Sequence, residues 1–199
     1  MPRFTEFDFG VSWVMGFFDQ DATHYGNTAA EIVANHLAGW SDAAALAVRR
    51  DAQVLGNLPS ETLEVLWEAG ADYMPSWERI GGGAQWTRTV VELCDARLSG
   101  TADPQPLTDA DCEDGEAYLE AVVAEIEAAQ YLPARVRAAL VDCARHCTPD
   151  VALRILLSAL SSTGAALSRD QYARLEAIGS ALHFGEFVVD NVRYLVDEE

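Results

Sequence analysis

Two stretches of this chain carry residue types that could hold a metal ion. Asp109, Asp111 and Glu120 are spaced like the ligands of a calcium loop: counted from Asp109, Glu120 is at position 12, where a bidentate carboxylate belongs. Such a loop turns sharply on a glycine at position 6. Here that position is Asp114, and Gly115 comes one residue late. The same acidic run fits the first turn of a helix, which the helix dipole favours. Cys143, His146 and Cys147 are soft ligands set close together. Structural zinc takes four ligands, usually as two separated pairs, and Cys94 and Cys112 stand alone, so a buried helix end is expected instead. No metal site and no cofactor follow from these residues.

Catalytic chemistry has no specific signature. His24, His36 and His183 are scattered, and there is no Gly-x-Ser-x-Gly nucleophile turn. Gly81-Gly82-Gly83 lacks the Lys-Ser/Thr of a phosphate loop and reads as a flexible connection. Carboxylates are so frequent that any pair could be nominated as acid and base, so none is informative. The expectation is no catalytic residue and no enzyme.

Binding is better supported. All five tryptophans and most of the other large aromatics lie in the first half, where most must serve the core. Trp77 differs, because it sits between Pro75 and Gly81 beside Asp72 and Glu78, where no helical period requires burial. An aromatic in an acidic loop suits an interface anchor. Asp72, Trp77 and Glu78 are therefore the candidate contact residues, joined by Asp19 and Asp21. The last two could equally brace the fold.

The elements that must position these residues read as helices. Phe9 to Phe18 is apolar and suits a short helix, or else a strand. Thr28-x-x-Glu31 and Ser168-x-x-Gln171 are capping boxes. Ser41-Asp42 caps a helix to Leu55, Pro59-Ser60 opens one to Gly70, and Tyr73 to Gly83 is irregular before a helix over 84–98. Ser99 to Leu107, with two prolines, reads as a linker. Thr108-x-x-Asp111 predicts a long helix through Ala129. Pro133 and Pro149 suit first turns of helices running to about His146 and Leu160, and a last helix is expected over 186–196. The fold class is all-α, a compact bundle of about nine helices in two successive halves: 1–98, then the linker 99–107, then 108–199.

Composition limits the partners. The 199-residue chain is half hydrophobic, enough for a core. The apolar run Val151 to Leu157 is broken by Arg154, and nothing approaches the roughly 20 apolar residues that span a bilayer. With no apolar leader at the N-terminus, a cytoplasmic location and reduced cysteines are expected. The net charge is −19, from 32 acidic and 13 basic residues, and all the basic ones are arginine. Such a field repels nucleic acid and anionic membranes and attracts basic proteins, although acidity alone also serves solubility.

The order Phe17-Phe18-Asp19-Gln20-Asp21, Thr28-Ala29-Ala30-Glu31-Ile32-Val33, Ser60-Glu61-Thr62-Leu63-Glu64, Gly70-Ala71-Asp72-Tyr73-Met74-Pro75 and Gln85-Trp86 resembles the immunity proteins of bacterial contact-dependent growth inhibition systems over residues 7–98. The chain departs from that pattern at Ala22, where an aromatic is expected, and in the Arg79-Ile80-Gly81-Gly82-Gly83 loop. Residues 116–197 look like Maf-type immunity proteins, through Pro149 to Leu157 and Leu167 to Tyr172. The resemblance implies a protein that binds the C-terminal domain of one cognate toxin and silences it by occlusion. Many such toxins are basic nucleases, which an acidic inhibitor meets by charge complementarity. Two other classes remain open: an acidic helical adaptor without a toxin partner, and a divalent-metal protein using Asp109, Asp111 and Glu120.

Overall fold

The computed structural model describes residues 2–197 and is all-α. Its helices are α1 (Gly10–Met15), α2 (Ala29–Ala38), α3 (Asp42–Leu55), α4 (Ser60–Gly70), α5 (Trp77–Ile80), α6 (Gly82–Ser99), α7 (Leu119–Ala128), α8 (Ala134–His146), α9 (Pro149–Thr163), α10 (Arg169–Ala181) and α11 (Glu186–Asp190). Among the described residues the only strand-like pairing is one isolated bridge, Leu167 to Val196. Among the described residues no helix is long and apolar enough to cross a membrane.

Local signals set most boundaries. Thr28 and Glu31 form a reciprocal capping box at α2, and Ser168 and Gln171 do so at α10. Ser41 caps α3, and Thr148 caps α9 with Pro149 in its first turn. The helix expected from Thr108 does not form. Only short 3₁₀ turns occur at Ala110–Cys112 and Glu116–Tyr118, and α7 starts at Leu119. The cause is distant. The Arg3 guanidinium donates to the carbonyls of Asp111 and Glu113, and that of Arg50 to Asp111 and Cys112, so these oxygens are taken before a helical ladder can use them. Gly115 then turns left-handed at φ 79°. The last helix is also shorter than expected. The chain beyond Asp190 leaves α11 so that Leu167 can pair with Leu195 and Asp197.

The Gly81–Gly83 stretch is a packing device rather than a flexible connection. A Cβ on Gly83 would stand 2.4 Å from the Ser60 carbonyl, so glycine lets the start of α6 press against α4. From α4, Glu64 accepts the Gly83 N–H and Ser60 accepts the Ala84 N–H, capping α6 from outside.

The two successive halves share one continuous apolar core. In the first, α6 packs on α2, α3 and α4, around Trp67, Trp86 and Phe18. The second contributes α9, in which every side chain from Pro149 to Leu160 except Ser158 is buried. It packs against α1 and α4 of the first half and α7 and α8 of its own. A helix apolar on all sides belongs in the middle of a fold, and α9 fills that place.

Candidate functional site

Arg154 is the one charge in the apolar stretch of α9, and it organises a buried polar cluster. Its Nη2 donates to Asp51 of α3 (2.8 Å) and to Asp150 one turn back (2.7 Å); its Nη1 donates to the Phe9 carbonyl (2.6 Å) and the Ser12 hydroxyl (3.2 Å). Arg3 completes the cluster through Asp150 at 2.9 Å. Asp51 also accepts the Val11 N–H at 3.0 Å, which caps α1, a helix with no capping side chain of its own. Gly10 is required here. Its φ is 66°, and a Cβ would fall 1.8 Å from the Asp51 carboxylate. Burial pulls the Arg154 pKa down, but Asp150 and Asp51 more than reverse this, leaving it above its ordinary value. Burial raises Asp51 despite Arg154 and lowers Arg3 despite Asp150.

This cluster holds α1 against α9, and between them opens a cleft of about 280 Å³. On one wall are Asp8, Ser12, Trp13 and Phe17 from the α1 region; Asp72 closes the rim; Ser158, Ser161 and Ser162 of α9 form the opposite wall. Asp8 Oδ1 accepts the Phe9 N–H (2.9 Å) and the Ser12 hydroxyl (2.7 Å). Its Oδ2 receives no donor among the described residues. Burial pushes the Asp8 pKa up to about 6, against the pull of nearby Arg154.

The loops either side of the rim are tied together. The Tyr73 N–H donates to the Phe18 carbonyl at 2.9 Å, so the 16–21 and 71–76 segments run side by side. Gly70 permits this, since a Cβ there would stand 2.2 Å from the Met15 sulfur. The structure thus brings Asp72 beside the turn that carries Asp19 and Asp21. All three are exposed, and Asp19 also braces its own turn by accepting the Asp21 N–H at 2.8 Å. Trp77 is placed differently from the loop expectation. It lies on α5, half-buried against the core, with its indole N–H donating to Glu68 at 2.7 Å. Glu78 is exposed on the same short helix. The free aromatic of this loop is Tyr73, 65% exposed.

The other metal and thiol candidates serve the fold. Asp111 is turned inward and accepts from Phe4 and from both the N–H and the hydroxyl of Thr108. Although burial alone would raise its pKa, these bonds bring it below the ordinary carboxylate value. Among the described residues no group of three or more His, Cys, Asp or Glu could hold a metal ion. The four cysteines are free thiols; Cys94 and Cys143 are buried, burial raises the Cys94 pKa, and the neighbouring Cys147 thiol, joined by burial, raises that of Cys143.

Sequence reasoning missed Asp8, Ser12 and the α9 serines. One signal was present: Asp150 and Arg154, four apart in an apolar helix, require buried partners. Which partners, and that a cleft would open beside them, depends on residues more than a hundred positions away. Comparison with known proteins finds no family model, no curated protein and no solved structure that matches the chain.

Proposed function

We propose that this chain is an immunity protein that binds one cognate bacterial toxin domain in the cytoplasm and blocks it by occlusion, without chemistry of its own. The observation that carries this reading is the exposed acidic face where two loops meet. Asp19 and Asp21 on one loop, and Asp72 on the other, form no ion pair among the described residues and stand beside the exposed Tyr73. An aromatic among unpaired carboxylates suits a basic protein surface, with the ring as anchor and the charges speeding encounter. The net charge of −19 extends the same field over the whole molecule. The sequence resemblance to contact-dependent growth inhibition immunity proteins supports the same partner class, because it covers both of these loops. A basic nuclease domain is the partner this face fits best, since it would be met by the inhibitor before reaching nucleic acid.

The test is association kinetics with the toxin domain encoded beside this chain, at two ionic strengths. Asp19→Arg combined with Asp72→Arg should slow association about tenfold or more at low salt, with the effect shrinking as salt rises. Unchanged rates in the double variant would place the interface elsewhere.

A further inference from the structure

The cleft beside α1 has a chemistry that its own chain leaves incomplete. Asp8 presents an oxygen with no donor, and Asp72, across the rim, accepts no hydrogen bond from any described residue. No arginine or histidine lines the cleft. Arg154 is close, yet it stands behind Ser12 with both terminal nitrogens already engaged. Two carboxylates therefore face one small space, and among the described residues neither forms a direct ion pair, Arg154 acting on Asp8 only through space.

The other walls fit a flat cation. Trp13 and Phe17 meet edge to face with ring centroids 4.5 Å apart and both line the cleft, Phe17 being backed by His36, which stacks on it at 3.9 Å. Aromatic faces attract guanidinium groups. Across from them, Ser158, Ser161 and Ser162 supply hydroxyl acceptors. A guanidinium carries five N–H donors in one plane, enough to bond carboxylates on two sides while stacking on a ring. An ammonium is a compact point charge and cannot do all three. A volume of about 280 Å³ is at or just below the small end of ligand pockets, room for one side chain rather than a cofactor.

We propose that this cleft is a socket for a single arginine side chain of the protein partner, held by Asp8 and Asp72 and stacked on the Trp13–Phe17 wall. This rests on the toxin-binding reading, because the cleft opens beside the same acidic face. Ser12 is a positioning residue: its hydroxyl donates to Asp8 and accepts from Arg154, fixing the carboxylate to the buried cluster. The raised pKa of Asp8 fits a carboxylate that awaits a cation.

The experiment uses the full chain and N-acetyl-arginine amide as probe, with N-acetyl-citrulline amide as the neutral isostere, followed by amide NMR shifts. The arginine probe should give saturable shifts confined to residues near Asp8, Asp72 and Ser158, and citrulline should give none. Asp8→Asn and Asp72→Asn should each weaken the probe about tenfold. Asp72 is exposed, so that variant keeps its fold in any case, and thermal melts check the other. Equal response to citrulline, wild-type affinity in both variants, or shifts elsewhere would overturn the socket. A protection assay separates the two ideas. If Asp8→Asn protects cells as well as the wild type, toxin binding stands and the socket falls. If the wild type does not protect, the functional reading fails whatever the probe does.

Discussion

Replacing Asp8 with asparagine removes a charge and keeps the Oδ1 acceptor for the Phe9 N–H and the Ser12 hydroxyl. Asp8 titrates near 6 in the folded protein, against an ordinary value of 3.8. That shift corresponds to up to about 3 kcal/mol, an upper figure because the side chain is partly open to water. The sign follows from which state binds the proton more tightly. Below about pH 3 Asp8 is protonated in both states and costs nothing. As pH rises toward 6 the unfolded chain loses its proton first, and the folded state is progressively disfavoured until its own carboxyl ionises. Arg154 draws the charge in, while Asp51 and burial oppose it, and the balance is already contained in the net shift. Asp8→Asn should therefore match the wild type near pH 3 and exceed it in stability at pH 7.5, by roughly 1–3 kcal/mol. Urea unfolding of both proteins at the two pH values measures this directly, and the difference cancels every other carboxylate. A variant less stable than wild type at pH 7.5, or a difference that does not change with pH, would refute the placement of an ionised Asp8 at the cost of stability.

Arg154→Met should destabilise by about 3–5 kcal/mol, because Asp51 is then buried without its cation and Asp150 keeps only Arg3; Gly10→Ala should also be severe, since its Cβ would meet the Asp51 carboxylate at 1.8 Å with φ at 66°. Thermal melts check both, and a change of under 1 kcal/mol in either would contradict the cluster. Tyr73→Ala should leave the melting temperature unchanged and weaken toxin binding by about 2 kcal/mol. Trp77→Ala should do the reverse, losing stability through its packing and its bond to Glu68 while binding changes little; equilibrium binding and melts on the two variants separate these roles.

The helices were legible where their signals are local. Thr28 with Glu31, Ser168 with Gln171, and Pro149 after Thr148 each fix a helix start within four residues, and each start is found there. Legibility failed where a distant side chain claims the backbone. Thr108-x-x-Asp111 has the composition of a helix start, but Arg3 and Arg50 take the carbonyls that the helix would need. Gly81 to Gly83 looked like slack because crowding by α4 leaves no trace in the local sequence. The candidate site divides in the same way. Asp19, Asp21 and Asp72 read as exposed carboxylates from the sequence, but Trp77 reads as a free aromatic because its partner, Glu68, belongs to a helix that the loop only meets in the fold. Asp8 could not be singled out among 32 acidic residues, since its distinction comes from Ser12, Arg154 and a wall of serines some 150 positions away.

Toxin binding is the central claim, and survival tests it most directly. Cells expressing the toxin domain encoded beside this chain would be plated with the wild-type protein, with the Asp19→Arg, Asp72→Arg double variant, and with empty vector. Full survival with the wild type, clear loss with the folded double variant and no survival with vector is the expected result. Equal killing with and without the wild-type protein would contradict the claim.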